Sequence, residues 1–231
     1  MHSCVMEVVT REFEITQSRT DWAHVMGTEI PQSSVYFRNT LTGDKYSYLC
    51  GAVGWPGVEA IGMLLILAVA DLDEPDPPIR VVEEKQLSAQ DSPRDILEGI
   101  LELRKKYGYG LHRDLVSRWY GNPRKCALFG GFVKNNVCLL DPAGHEDPHR
   151  FGAYLHAVRD DVTRGLLVLE NCPRLGGYLK TIPPDASAVD GEEAFPAVFA
   201  LGAAIYTLRQ HRPWLTVGSP RAYNMDDGFG Y

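Results

Sequence analysis

Tyr46-Ser47-Tyr48-Leu49-Cys50-Gly51-Ala52-Val53 and, after a Trp55-Pro56-Gly57 turn, Ala60-Ile61-Gly62-Met63-Leu64-Leu65-Ile66-Leu67-Ala68-Val69-Ala70 read as two apolar strands. The second is hydrophobic without interruption, the pattern of a strand covered on both faces. Asp71 to Pro78 holds four acids and three prolines. Proline removes a ladder donor and clustered charge resists burial, so this stretch is expected to be an exposed connection. Ile79 to Leu87 follows as a third strand.

A helix comes next, with Ser92 as N-cap, Pro93 in the first position, Asp95 in the third, and Ile96, Leu97, Ile100 and Leu101 on one face. It should stop near Tyr107-Gly108. Leu115 to Tyr120 and Val137 to Leu140 read as further strands. Asp147-Pro148 opens a second helix, along which Phe151, Tyr154, Leu155, Val158 and Val162 keep helical spacing. A short strand is expected at Leu166 to Glu170, then a short helix or turn from Asn171-Cys172-Pro173. Asp190-Gly191-Glu192-Glu193 leads into a last helix lined by Val198, Leu201, Ile205 and Leu208. A three-strand meander, a helix, and then alternating strands and helices imply an α/β fold, a mixed sheet with helices on both faces.

With 231 residues, 45% of them hydrophobic, the chain can bury one substantial core. Residues 46–212 are expected to hold it, with 1–45 an N-terminal arm or sheet-edge extension without recognisable chemistry and 213–231 a C-terminal tail. The longest apolar run, Ile61 to Val69, is too short to span a bilayer, and the N-terminus shows no basic flank or cleavage pattern. Neither export nor membrane insertion is expected. Five cysteines (Cys4, Cys50, Cys126, Cys138, Cys172), odd in number and without a C-x-x-C pair, suit a reducing cytosol and read as small buried side chains. A net charge of −7 works against strong nucleic-acid binding, which needs clustered Lys and Arg. Only Arg104-Lys105-Lys106 and the stretch Arg118 to Lys125 offer local basic surface, the first reading as the solvated last turn of a helix.

Four segments resemble, in order and spacing, the nuclease domain of the phage terminase large subunit, which cuts and packages viral DNA. Val53-Gly54-Trp55 with the apolar strand after it looks like that family's opening strand. Ile79-Arg80-Val81-Val82-Glu83-Glu84 and the helix after it are similar to its third strand and first helix. Trp119-Tyr120-Gly121-Asn122-Pro123 resembles the end of its fourth strand. Leu166 to Pro173, ahead of Glu193 to Ala203, is similar to its closing strand, Cys-Pro segment and final helix. The resemblance covers about residues 46 to 212 and implies a ribonuclease H-like fold, phage packaging proteins as partners, and a chain from a phage or prophage.

In that family, acidic residues at the sheet edge hold two divalent ions that activate water and stabilise the leaving oxygen. At the matching positions stand Gly54, Asn122 and, within one residue, Val198, which offer at most one neutral carbonyl where hard ions require charged oxygen. No G-x-x-x-x-G-K-[ST] phosphate loop is present, so no nucleotide is expected. The resemblance thus implies the fold without the activity, and a binding or assembly role. No cofactor follows from it. An alternative keeps the enzyme: Glu59, Asp141 and Asp190 or Glu193 would form a relocated acidic cluster for magnesium or manganese. Against it, acids at 190, 192 and 193 also suit the positive end of a helix, and Asp141-Pro142 suits a turn. A third reading is a small α/β phage structural protein unrelated to nucleases.

Other constellations carry less. In His145-Glu146-Asp147-Pro148-His149, Pro148 interrupts the spacing of a zinc helix, and a helix N-cap on an exposed loop explains the group. Ser117 and Ser219 lack a nucleophile elbow. Gly130-Gly131 and Gly176-Gly177 lack the context of a dinucleotide loop and read as turns.

Overall fold

The computed structural model describes residues 13–25, 28–39, 45–58, 60–70, 76–107, 116, 118–127, 130–143, 149–169, 172–183, 186 and 191–211. It is an α/β protein built on one mixed sheet with helices on both faces. Strands β3 (Lys45–Gly54), β4 (Gly62–Ala70) and β5 (Ile79–Leu87) form the antiparallel meander, in register at Gly54↔Met63 and Val69↔Ile79. The chain then crosses the sheet, and β6 (Trp119–Gly121) lies parallel to β3 on its free side, followed outward by β7 (Leu139–Leu140). On the far edge β8 (Leu167–Leu169) pairs parallel with β5. The central order is therefore β7-β6-β3-β4-β5-β8. Upstream, β1 (Phe13–Val25) and β2 (Thr28–Asn39) form an antiparallel hairpin that joins the start of β3 at Phe37↔Tyr46 and Arg38↔Lys45.

The alternation of strand side chains divides the core in two. Leu49, Val53, Leu64, Ile66 and Ala68 face α1 (Pro93–Lys106), which delivers Ile96, Leu97, Ile100 and Leu103. Its start is as the sequence suggests: Ser92 and Asp95 form a reciprocal capping box, with Pro93 in the first turn. Its end differs, because Arg104 turns inward, 5% exposed, and donates to the Asn135 carbonyl, while Lys106 pairs with Glu83 at 2.8 Å. The expected solvated basic turn is thus partly consumed by packing.

The opposite face, with Cys50, Ala52, Met63, Leu65 and Leu67, is covered by α4 (Arg150–Thr163) and α7 (Pro196–His211). Helix α7 is apolar nearly all round because the sheet and α4 enclose it. A Cβ at Gly202 would lie 2.6 Å from the Tyr154 Cβ, so the two helices meet backbone to side-chain root there. Along α4, Phe151, Tyr154, Leu155 and Val158 are buried as spaced, but Val162 is 52% exposed and Asp161 takes the inward position.

Several boundaries correct the sequence reading. Helix α4 begins at Arg150; Asp147-Pro148, read as its opening, lies outside the described residues. Two short helices, α2 (Pro123–Ala127) and α3 (Gly131–Lys134), stand where no helix was expected. Strand β7 is correspondingly short, because the Val137 amide closes the end of α3 by donating to the Phe132 carbonyl. Gly131 opens α3, and Gly176-Gly177 lie inside α5 (Pro173–Thr181) rather than in a turn. The α5 amides of Arg174 and Leu175 are capped by the Glu84 carboxylate at 3.0 and 2.7 Å, which anchors this glycine-bearing helix to β5. The last helix is two pieces, α6 (Gly191–Ala194) and α7, because proline at 196 disfavours helical geometry at Phe195. The 213–231 tail lies outside the described residues. No helix among the described residues is long and apolar enough to cross a membrane.

Candidate functional site

Parallel pairing of β3, β6 and β7 brings three strand ends side by side. Val53 pairs with Gly121 and Tyr120 with Leu140, so Gly54, Asn122 and Asp141 emerge at neighbouring points of one sheet edge. Loop ends at the carboxyl side of such strands are where open α/β sheets gather ligands.

Gly54 is sealed. A Cβ built there would stand 2.3 Å from the Pro196 carbonyl oxygen, 2.6 Å from its carbon and 2.9 Å from the Ala197 nitrogen. The first turn of α7 therefore rests on the backbone of β3, and glycine is what permits the contact.

Asn122 is 8% exposed and fully engaged. Its carbonyl accepts from the Arg124 amide at 2.9 Å, which starts α2, and its amide donates to Oε2 of Glu192 at 2.6 Å. Glu192, on α6, is itself 8% exposed, and its Oε1 faces the Lys125 ammonium at 3.8 Å. Burial pushes the Glu192 carboxyl above its usual range, with Asp141 adding to the rise, against the lowering effect of Asn122, Lys125 and Arg150. Asp141 is enclosed by Arg150, whose Nε lies 3.3 Å from Oδ2, and by Tyr154, whose hydroxyl donates to Oδ1 while accepting from the Ala143 amide. Burial first, then Asp141, raises the Tyr154 phenol strongly.

Two buried carboxylates and two partly exposed basic groups thus make a charge-balanced network. Its donor set does not fit a divalent pair: Gly54 leaves no room for any side chain, Asn122 is committed on both ends, and Lys125 and Arg150 hold the positive charge that metal would bring. Among the described residues, no three His, Cys, Asp or Glu side chains gather to hold an ion.

The other sequence candidates scatter. Glu59 and Asp190 lie outside the described residues. Glu193 is exposed and lines a surface cleft with Pro56, Val58, Ala60 and Lys125 rather than joining Asp141. Val198 is fully buried in the core, beyond the network, so the acidic contribution of this region is Glu192. Of the His145 to His149 group only His149 is described; it occupies the N-cap position of α4 without a side-chain cap bond. Ser117 and Ser219 fall outside the described residues. Cys50, Cys126 and Cys172 are buried as expected, whereas Cys138 is exposed. Burial pushes the Cys126 and Cys172 thiols up to about 12, which keeps them protonated and unreactive.

The sequence reading placed Lys125 in a basic stretch and Tyr154 on the apolar face of a helix but gave neither a part in the site, and it did not single out Arg150 or the burial of Glu192. A signal for Glu192 existed in the Glu192-Glu193 pair, but spacing does not tell which of two adjacent acids turns inward. No protein-family model matches the chain, and no curated protein or solved structure is significantly similar to it.

The Glu192 shift yields a signed prediction. Because its carboxyl is raised in the folded state, its contribution is fully present below the unfolded glutamate value and is lost as pH rises through the folded one. Glu192→Gln, which carries no charge, is expected to remove this loss and so to gain stability relative to the parent as pH rises toward neutral. The gain should vanish below pH ~4, where glutamate is protonated in both states. Thermal melts of both proteins across that range read it directly, and a variant less stable at neutral pH would contradict it.

Proposed function

We propose that this chain is a relative of the nuclease domain of the phage terminase large subunit, with a ribonuclease H-like fold, that serves DNA packaging as a binding or assembly module and does not cut DNA. The strand order supports the fold: a three-strand antiparallel meander, then a helical crossover that returns the fourth strand parallel beside the first.

The observation that carries the loss of chemistry is the contact of Pro196 with Gly54. At the end of the first meander strand, where the resemblance places a metal-holding aspartate, helix backbone occupies the space of the side chain itself. The network beside it supports the same conclusion, since Glu192 and Asp141 already have cationic neighbours. A relocated acidic site is less well supported, because Asp141 is enclosed while Glu193 stands exposed on the cleft wall.

The purified full chain, incubated with supercoiled plasmid and magnesium or manganese, is expected to leave the DNA intact and to give no heat of manganese binding. Chelator-sensitive nicking that disappears in Glu192→Gln or Asp141→Asn would overturn the proposal.

A further inference from the structure

Strands β1 and β2 leave the sheet almost as soon as they join it. Only Phe37 and Arg38 of β2 pair with β3, at Tyr46 and Lys45, because β6 takes that same edge of β3 from Gly51 onward. The rest of the hairpin, out to the Val25↔Thr28 pair, has no third strand among the described residues, and the outer edge of β1 has no strand partner along its 13 residues. A two-stranded ribbon is marginally stable in water, and further strands are what stabilise it. An open edge is a template for one.

The register of the hairpin says which strand fits. Gln17 stands opposite Val35 and Thr20 opposite Ser33, so Ser18 and Arg19 together face Ser34 alone. This bulge resets the pleat and leaves residues 17 and 20 at equivalent positions although they lie three apart in the chain. A regular strand loses register with such an edge. A second copy of β1 keeps it, because it brings the same bulge. When the two run antiparallel with their bulges meeting at the two-fold axis, Gln17 falls opposite Thr20 of the second copy and every pair beyond keeps its pleat. Thr16 then faces Asp21 of the second copy, Ile15 faces Trp22, Glu14 faces Ala23 and Phe13 faces His24, each pair occurring twice by symmetry. None of these sets like charges opposite one another, and Ile15 with Trp22 joins a β-branched residue to an aromatic one, a favourable cross-strand pair.

We propose that the chain self-associates through β1, two hairpins joining edge to edge into a four-stranded antiparallel sheet centred on the paired bulges. The pairing uses no part of the Glu192 network and is independent of whether the chain cuts DNA.

Sedimentation velocity of the full chain over a concentration series reads the association. A monomer–dimer equilibrium is expected, with a Kd on the order of 10 μM, since a strand edge buries less surface than a standard interface. Opposite charges placed at one position test the register. Thr16→Asp sets acid opposite Asp21 at both symmetric places and is expected to weaken the dimer about tenfold, whereas Thr16→Arg sets opposite charge there and should tighten it severalfold. Adding Asp21→Arg to Thr16→Asp restores an opposite-charge pair and should recover at least the parental affinity. A substitution that merely disturbed the hairpin would weaken association whichever charge it carried, so equal weakening by both Thr16 variants would overturn the proposal. A chain that stays monomeric up to about 100 μM, or a dimer indifferent to all three variants, would overturn it as well.

Discussion

Gly54→Asp is expected to destabilise the protein on the order of 4 kcal/mol and to confer no metal-dependent cleavage. The clash begins at Cβ, 2.3 Å from the Pro196 carbonyl oxygen, and involves backbone that no rotamer change can move aside. Beyond it, the new carboxylate would be buried beside Glu192 and Asp141, with Lys125 and Arg150 already paired to those acids. Gly54→Ala separates the two costs. It should lose about 2 kcal/mol from overpacking alone, since it adds only the methyl group. Urea denaturation midpoints of the three proteins measure both steps. An aspartate variant as stable as the parent would mean that α7 does not rest on β3, and the explanation offered for the missing acid would fail with it.

Asp161→Ala is the second large effect, expected at about 3–5 kcal/mol, because it strands a largely buried guanidinium. The Asp161 side chain is 1% exposed and receives Arg209 through Nε at 3.0 and 3.1 Å and Nη2 at 2.7 Å, while Nη1 of Arg209 donates to the Pro77 carbonyl at 2.8 Å. One ion pair thereby ties α4, α7 and the connection before β5 together. The double variant Asp161→Ala/Arg209→Met should recover much of the loss, since removing both charges leaves no orphan. A double-mutant cycle by chemical denaturation reads the coupling. Strictly additive losses would show that the pair contributes nothing beyond its separate side chains.

The uneven legibility of this chain has identifiable causes. The meander was readable because Ala60 to Ala70 is apolar without interruption and Asp71 to Pro78 cannot be strand, two signals that act over a few residues. Helix α1 was readable from Ser92, Pro93 and Asp95 for the same reason: capping is local chemistry. The middle of the chain was not. Helices α2 and α3 are too short to show a period, and Val137 spends its amide on closing α3, which shortens β7. Gly176 and Gly177, locally turn-like, are held helical by the Glu84 carboxylate, which arrives from β5, 90 positions away in the case of Arg174.

The site divides in the same way. That Gly54 and Asn122 offer no charged metal ligand was evident from residue identity, as was the acidic character of the segment ahead of the last helix. That glycine is required at 54, that Glu192 rather than Glu193 turns inward, and that Lys125 and Arg150 supply the compensating charge became apparent only with the helices packed on the sheet. Residue types and local periodicity record which chemistry is available and which backbone a segment prefers. Which groups share a buried space depends on contacts between residues far apart in the chain, such as Asn122 and Glu192, 70 positions apart, and a linear pattern carries no distance between them.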